Sequence, residues 1–184
     1  MILPMYIFGQ PVLRKVADEV EEDFPNLKEL LENMFETLRR SEGVGLAAPQ
    51  VGLAKRLFII DLDCLSEDHS EFKGYFKVFI NPEIVETGSE TSSYEEGCLS
   101  LPGIHENVKR PTRVLVNYLD ESFEEHEEWF DGFPARVIQH EYDHLDGKMF
   151  IDRLGPLRKQ MLKSKLAAMA KGKFEASYKC KANR

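Results

Sequence analysis

The residues of this chain best suited to chemistry are two histidines four positions apart with a glutamate after the first: His140-Glu141-Tyr142-Asp143-His144. On a helix, positions i and i+4 lie one above the other, so both imidazoles can reach one metal ion. Glu141 then stands beside the metal's open position, where a carboxylate can take a proton from water and return it to a leaving group. The chemistry this spacing suggests is metal-dependent hydrolysis.

A catalytic metal usually has three protein ligands. His69, His105 and His126 lie in polar or loop-like stretches and read as surface residues. Beyond His144 the only acids are Asp146, Asp152 and Glu175; Asp146 points off the motif face and Asp152 reads as structural. Cys98, in Glu95-Glu-Gly-Cys-Leu-Ser-Leu-Pro102, sits in a bend that could approach a helix. A lone cysteine is equally a small buried hydrophobe, so spacing alone leaves both readings open. Cys64 and Cys180 lack any motif and read as apolar fillers.

Gly43-Val-Gly45-Leu-Ala-Ala48 has the G-x-G-x-x-A form of a dinucleotide loop. That fingerprint needs a strand before it and a helix after it. Here a helix precedes it, and Pro49 and a strand near Leu57 follow, so nucleotide binding is rejected. The glycines instead let the backbone approach a ligand closely. Gln50 can donate an amide N–H to a developing oxyanion, or serve as a strand-end hydrogen bond.

The elements positioning these groups are legible in outline. Leu27, Leu30, Leu31, Met34, Phe35 and Leu38 recur at helical spacing and predict a helix over 26–40. Leu57–Ile60 reads as a buried strand and 61–74 as a polar loop. Strands are expected at 76–80, 84–87 and 113–119, with a turn at 120–122 leading into a strand over 123–130. Asp131-Gly-Phe-Pro134 resembles a helix start, and that helix carries the motif to about Leu145, where Gly147 closes it. A last helix is expected from Pro156 to about Lys171. The fold class is α+β: mostly antiparallel sheets packed around a central motif helix, with an N-terminal and a C-terminal helix besides. At 184 residues the chain fits one domain.

Gly43-Val-Gly-Leu-Ala-Ala-Pro-Gln50, Glu96-Gly-Cys-Leu-Ser100 and Gln139-His-Glu-Tyr-Asp-His-Leu145 closely resemble the three motifs of the peptide deformylases, in that family's order. The similarity covers residues from about 11 to 153. The resemblance implies Cys98, His140 and His144 as metal ligands, with water in the fourth position and Glu141 as general acid/base. It implies that Gln50 and the Leu99 backbone N–H stabilise the oxyanion, and that Val44, Gly45 and Val137 help form the pocket for the substrate's methionine. It also implies the activity, removal of the N-formyl group from the initiator methionine of nascent chains, and ferrous iron as the metal, with zinc, nickel or cobalt able to occupy the site. Arg136 departs from the family, where an apolar residue is common, and suggests a more polar pocket rim. The 61–74 segment is longer than in shorter members.

Composition excludes other classes. The chain is 42% hydrophobic and 30% charged, and no apolar run approaches a bilayer's thickness. The apolar start is broken by Pro4 and lacks a basic n-region, so it does not read as a signal peptide. Three widely spaced cysteines imply no disulfide framework, and a cytoplasmic setting is expected. The net charge of −8 hides an asymmetry: residues 153–184 hold ten Lys/Arg and one acid, Glu175. A basic helix and tail over 156–184 suggests an anionic partner, and the resemblance points to the ribosome. The alternative is a docked helix with a solvated basic face. Neither a membrane nor a specific nucleic-acid sequence is expected as a partner. The nearest rival function is a zinc peptidase with the same helix motif, for which no downstream third ligand is well placed. A catalytically silent, ribosome-associated binding protein is disfavoured because Glu141 and Gln50 are both present.

Overall fold

The computed structural model describes residues 1–182. In chain order its main elements are β1 (Met5–Tyr6), α1 (Leu27–Arg40), β2 (Gly45–Ala47), β3 (Leu57–Asp61), β4 (Phe76–Thr87) and β5 (Thr91–Gly97). They continue with β6 (His105–Pro111), β7 (Arg113–Leu119), β8 (Glu125–Asp131), α2 (Gly132–Leu145), α3 (Pro156–Ala170) and β9 (Cys180–Lys181).

Every residue of β3 is buried, because helices cover both faces of the sheet to which it belongs. That sheet has the order β2-β3-β4-β7-β8, antiparallel throughout. Side chains alternate along a strand, so Leu57 and Ile59 enter one apolar cluster with Leu31, Met34 and Leu38 of α1. Phe58 and Ile60 enter a second cluster with Ala135, Val137, Ile138 and Leu145 of α2. Phe58 stacks on Phe79 with ring centroids 4.6 Å apart. Each such fully buried side chain contributes about 1.5–3 kcal/mol of transfer free energy. This second cluster fixes α2 against the sheet, and with it the orientation of the motif.

The α+β architecture is as the sequence suggests, with differences in detail. The two strands expected at 76–80 and 84–87 are one element, β4, with register shifts between Ile80 and Glu83 and between Ile84 and Glu86. Asn81 adopts φ 48° at the first irregularity, and its side chain bonds both the N–H and the carbonyl of Val20. The strand expected from Phe123 begins at Glu125, since Phe123 has φ 59° and belongs to the turn. Asp61 of the expected 61–74 loop is the last residue of β3, and the remainder holds two short 3-10 turns and no strand.

Two features escape the hydrophobic pattern. β5 and β6 form a separate antiparallel hairpin running from the Thr91–Pro111 pair to the Gly97–His105 pair. β1 and β9 form a parallel pair that joins the two ends of the described chain. The apolar stripe expected along the last helix is only partly used. Met169 is buried and Leu162 and Leu166 pack on the core, whereas Leu157 and Met161 are exposed. Residues 162, 166 and 169 share one face by i, i+4, i+7 spacing; 157 and 161 lie on the neighbouring row.

Candidate metal centre and substrate cleft

One face of α2 turns His140, Glu141 and His144 inward, all three largely or fully buried. Cys98 follows β5 at the start of the hairpin's connecting loop. The hairpin brings its thiol to the helix: Cys98 Sγ lies 3.4 Å from His144 Nε2, and one ligand atom from each of Cys98, His140 and His144 lies within 4.8 Å of the others. Sulfur and nitrogen ligands about 2.3 and 2.0 Å from one tetrahedral ion would stand about 3.5 Å apart. The donor set thus fits a single divalent ion, and the chemistry of a thiolate with two imidazoles suits zinc, iron, cobalt or nickel.

Electrostatics point the same way. Burial first, and the charge of His140 second, push His144 down to about 3, so it is a neutral imidazole with a lone pair to offer. Burial opposes protonation of His140, but hydrogen bonds to Cys98 and Glu96, and the charges of Cys98 and Glu141, outweigh it and carry the ring well above its ordinary value. These partners form a pocket of negative potential that favours a cation.

Glu96 had no role assigned from sequence, although it opens one of the quoted motifs. Its Oε2 accepts from His140 Nδ1 at 2.9 Å, leaving His140 Nε2 for the metal side. Its two oxygens also accept from Arg110 Nε and Nη2 at 2.6 and 2.9 Å, and Oε1 from Arg136 Nη1 at 3.0 Å. Burial raises the Glu96 carboxyl, but His140 and Arg110 more than offset this and hold it well below the carboxylate range. Arg110 is fully buried and continues to Asp143 Oδ2 at 2.9 Å, and Arg153 clamps the same carboxylate with two bonds of 2.6 Å. Asp143, the residue before His144 in the motif, is therefore a tie between α2, β6 and Arg153. β6 turns Glu106, Val108 and Arg110 inward, and because two of the three are charged no apolar alternation in the sequence signalled this network.

Arg136 lines the cleft, but its charge is committed. Besides Glu96 it donates to the carbonyls of Val108 and Ser92 and to Ser92 Oγ, at 2.8–3.0 Å. Arg136 thus supports Glu96, and its own charge is not free at the rim.

On the opposite side of the cleft, Gln50 lies in a short 3-10 turn, Ala48–Val51, after β2. Its Oε1 accepts from the Ala47 N–H at 2.9 Å, which turns Nε2 toward Cys98 Sγ at 3.5 Å and Ser100 Oγ at 3.3 Å. The side chain is thus set with its N–H groups facing the metal ligands. Gly45 is needed for space: a Cβ there would stand 2.5 Å from Glu141 Oε1. Burial pushes the Glu141 carboxyl up to about 7, and its Oε2 is buried with no hydrogen-bond partner among the described residues. A carboxyl poised near neutrality beside a metal site is suited to proton transfer in both directions.

These groups line a cleft of about 490 Å³ that also includes Val44, Val137, Leu99, Leu101 and Glu175–Tyr178. The structure brings together Val44, Gly45, Gln50, Cys98, Leu99, Val137, His140 and Glu141 around this cleft. His144 sits behind them against Cys98. Asp146 and Asp152 lie elsewhere, paired with Arg56 and Arg14. His69 is exposed; His126 pairs with Asp120 at the β7–β8 turn. His105 is exposed yet lines the cleft, packed where a side chain on Gly97 would collide. Cys64 and Cys180 are free and outside the metal cluster.

A thiol and two helix-borne imidazoles beside a buried carboxyl, at the floor of a partly apolar cleft, define the class of metal-dependent hydrolases. The polypeptide deformylase family model matches residues 2–160. The peptide deformylase of Christiangramia forsetii is 47% identical over 97% of this chain and 95% of its own length. Among solved structures, a Legionella pneumophila peptide deformylase is 38% identical with a TM-score of 0.80, covering 91% of this chain and 94% of that one. The Thermotoga maritima enzyme is 43% identical with a TM-score of 0.76, covering 85% and 99%. The chain belongs to the polypeptide deformylase family, metal-dependent enzymes that remove the N-formyl group from nascent peptides.

Proposed function

We propose that Cys98, His140 and His144 hold one divalent ion and that Glu141, Gln50 and Leu99 perform deformylation of N-formylmethionyl peptides around it. The bound ion would supply the Lewis acidity that makes water a nucleophile near neutral pH. Glu141 accepts the attacking water's proton and passes it to the leaving amine nitrogen. The Gln50 amide and the Leu99 backbone N–H face the oxygen that becomes negative as the formyl carbon turns tetrahedral. The C–N bond then breaks, releasing formate and a free N-terminal methionine. Val44, Gly45 and Val137 form the wall against which the methionine side chain packs.

The observation that carries this reading is the approach of Cys98 Sγ to His144 Nε2 at 3.4 Å beside the buried Glu141 carboxyl, whose Oε2 has no hydrogen-bond partner among the described residues. Formate release from formyl-Met-Ala-Ser by anaerobically purified protein, with its metal content measured alongside, tests it. Metal-loaded protein that cleaves internal peptide bonds and releases no formate would establish the zinc peptidase instead. Ferrous iron as the resident metal rests on family resemblance and a soft thiolate ligand, and elemental analysis of the same sample decides it.

Three further readings accompany the activity. The chain works as a single catalytic domain, in keeping with its two core clusters sharing β2, β3 and β4. No described helix is long and apolar enough to cross a membrane, and the free cysteines accord with a cytoplasmic setting. The ribosome is the anionic partner of α3, where exposed Leu157 and Met161 stand among exposed Lys159 and Lys163. Co-sedimentation with ribosomes should fall as salt rises. Co-sedimentation unchanged by deleting residues 156–184 would refute that docking role.

A further inference from the structure

The loop that carries Cys98 and Leu99 is held by both ends of the described chain. The Ser100 carbonyl accepts from the Phe8 N–H at 2.9 Å, two residues beyond β1. The preceding carbonyl, that of Leu99, accepts from the Tyr178 hydroxyl at 2.7 Å, two residues before β9. β1 and β9 are themselves paired, through Met5 N–H to Lys179 O at 2.8 Å and Ile7 N–H to Lys181 O at 3.0 Å. Two consecutive peptide carbonyls beside the metal centre thus hang from a strap made of the chain's first and last strands. The segment leading into β9 does more than brace: Glu175, Ala176, Ser177 and Tyr178 line the cleft together with Val44, Cys98 and His140. These residues lie beyond the 2–160 stretch that the family model matches.

We propose that residues 175–178 are the outer wall of the substrate cleft, met by substrate residues after the methionine, and that Tyr178 is a positioning residue for Leu99. The inference rests on the deformylase reading of the site. Leu99 N–H must point at the developing oxyanion, and a small misplacement of such a donor weakens catalysis more than ground-state binding. Tyr178 acts on that peptide through the next carbonyl, so its loss loosens the donor without touching a metal ligand.

Two substitutions in the full-length, metal-loaded chain test this. Tyr178→Phe keeps the ring and removes the hydroxyl. It should lower kcat on formyl-Met-Ala-Ser about fivefold, the scale of one lost hydrogen bond, with KM altered less than twofold and metal content unchanged. A merely structural role would lower the melting midpoint and leave kcat alone, which would overturn the positioning role, as would a kcat loss that tracks loss of metal. Ala176→Trp should raise KM for formyl-Met-Ala-Ser about tenfold and raise KM for the amide of formyl-Met, which has no further residues, several-fold less. An equal effect on both substrates, or on neither, would overturn the wall. Hydrogen exchange at the Leu101 amide, which closes the same loop onto Cys98 O at 2.9 Å, needs no turnover. It should quicken in Tyr178→Phe; unchanged exchange refutes the strap even if wild-type protein releases no formate, an outcome that would count against the deformylase reading instead.

Discussion

Replacing Glu96 by glutamine keeps the side chain's shape and removes one negative charge from the junction of His140, Arg110 and Arg136. The carboxylate accepts four bonds, with Oε1 serving Arg110 Nε and Arg136 Nη1 and Oε2 serving Arg110 Nη2 and His140 Nδ1. An amide offers one oxygen, so whichever way it turns, two N–H donors confront its NH₂. Arg110, fully buried, would keep only Asp143 as a charged partner. Removing one member of a buried ion pair costs about 3–5 kcal/mol, and losing a carboxylate that orients a ligating histidine weakens metal binding about 10–100-fold. Denaturant unfolding of the metal-free proteins and chelator competition on the loaded ones measure the two effects. The pH dependence has a definite sign. The folded pKa of Glu96 is depressed below its ordinary 4.5, so its stabilisation is complete above about 4.5 and is lost as pH falls through the folded value. The gap between wild type and variant should therefore be wide at pH 7 and narrow in strong acid. Unfolding free energies within about 1 kcal/mol at pH 7, with metal affinity within twofold, would show that Glu96 is not the hub described above.

Other substitutions separate the roles around the cleft. Glu141→Ala should retain the metal and abolish formate release; turnover near the wild-type rate would remove its role as proton carrier. Cys98→Ala should lose metal during dialysis, as read by elemental analysis, whereas Cys64→Ala, altering an exposed thiol away from the cluster, should not. Gln50→Ala should lower kcat by about 10²–10³ with a smaller rise in KM, the signature of a donor used in the transition state. A change confined to KM would make Gln50 a binding residue.

How far the sequence could be read depended on whether a residue's surroundings were local. α1 announces itself by apolar spacing, α2 by its Asp131-Gly-Phe-Pro134 start and Gly147 stop, and β3 by an unbroken apolar run. The β5–β6 hairpin does not. Thr91–Gly97 is polar and almost wholly exposed, and the inward face of β6 is Glu106, Val108 and Arg110, so charge stands where an apolar alternation would have marked a strand. That hairpin is covered by an ion-pair network, and ion pairs have no period. Likewise the division of the α3 residues into buried Met169 and exposed Leu157 depends on where the body lies, not on the helix.

Local chemistry along the chain was enough to pair His140 with His144, to put Glu141 between them, and to propose Cys98 and Gln50 through motifs in the right order. Helical spacing does the first by geometry alone. Only the tertiary structure decided that the Cys98 thiol reaches His144, since 46 residues separate them and their approach is made by the hairpin and the Glu96–Arg110–Asp143 chain. Only it placed Tyr178 against Leu99, 79 residues away. Contacts of that kind come from the packing of whole elements, which no local pattern encodes.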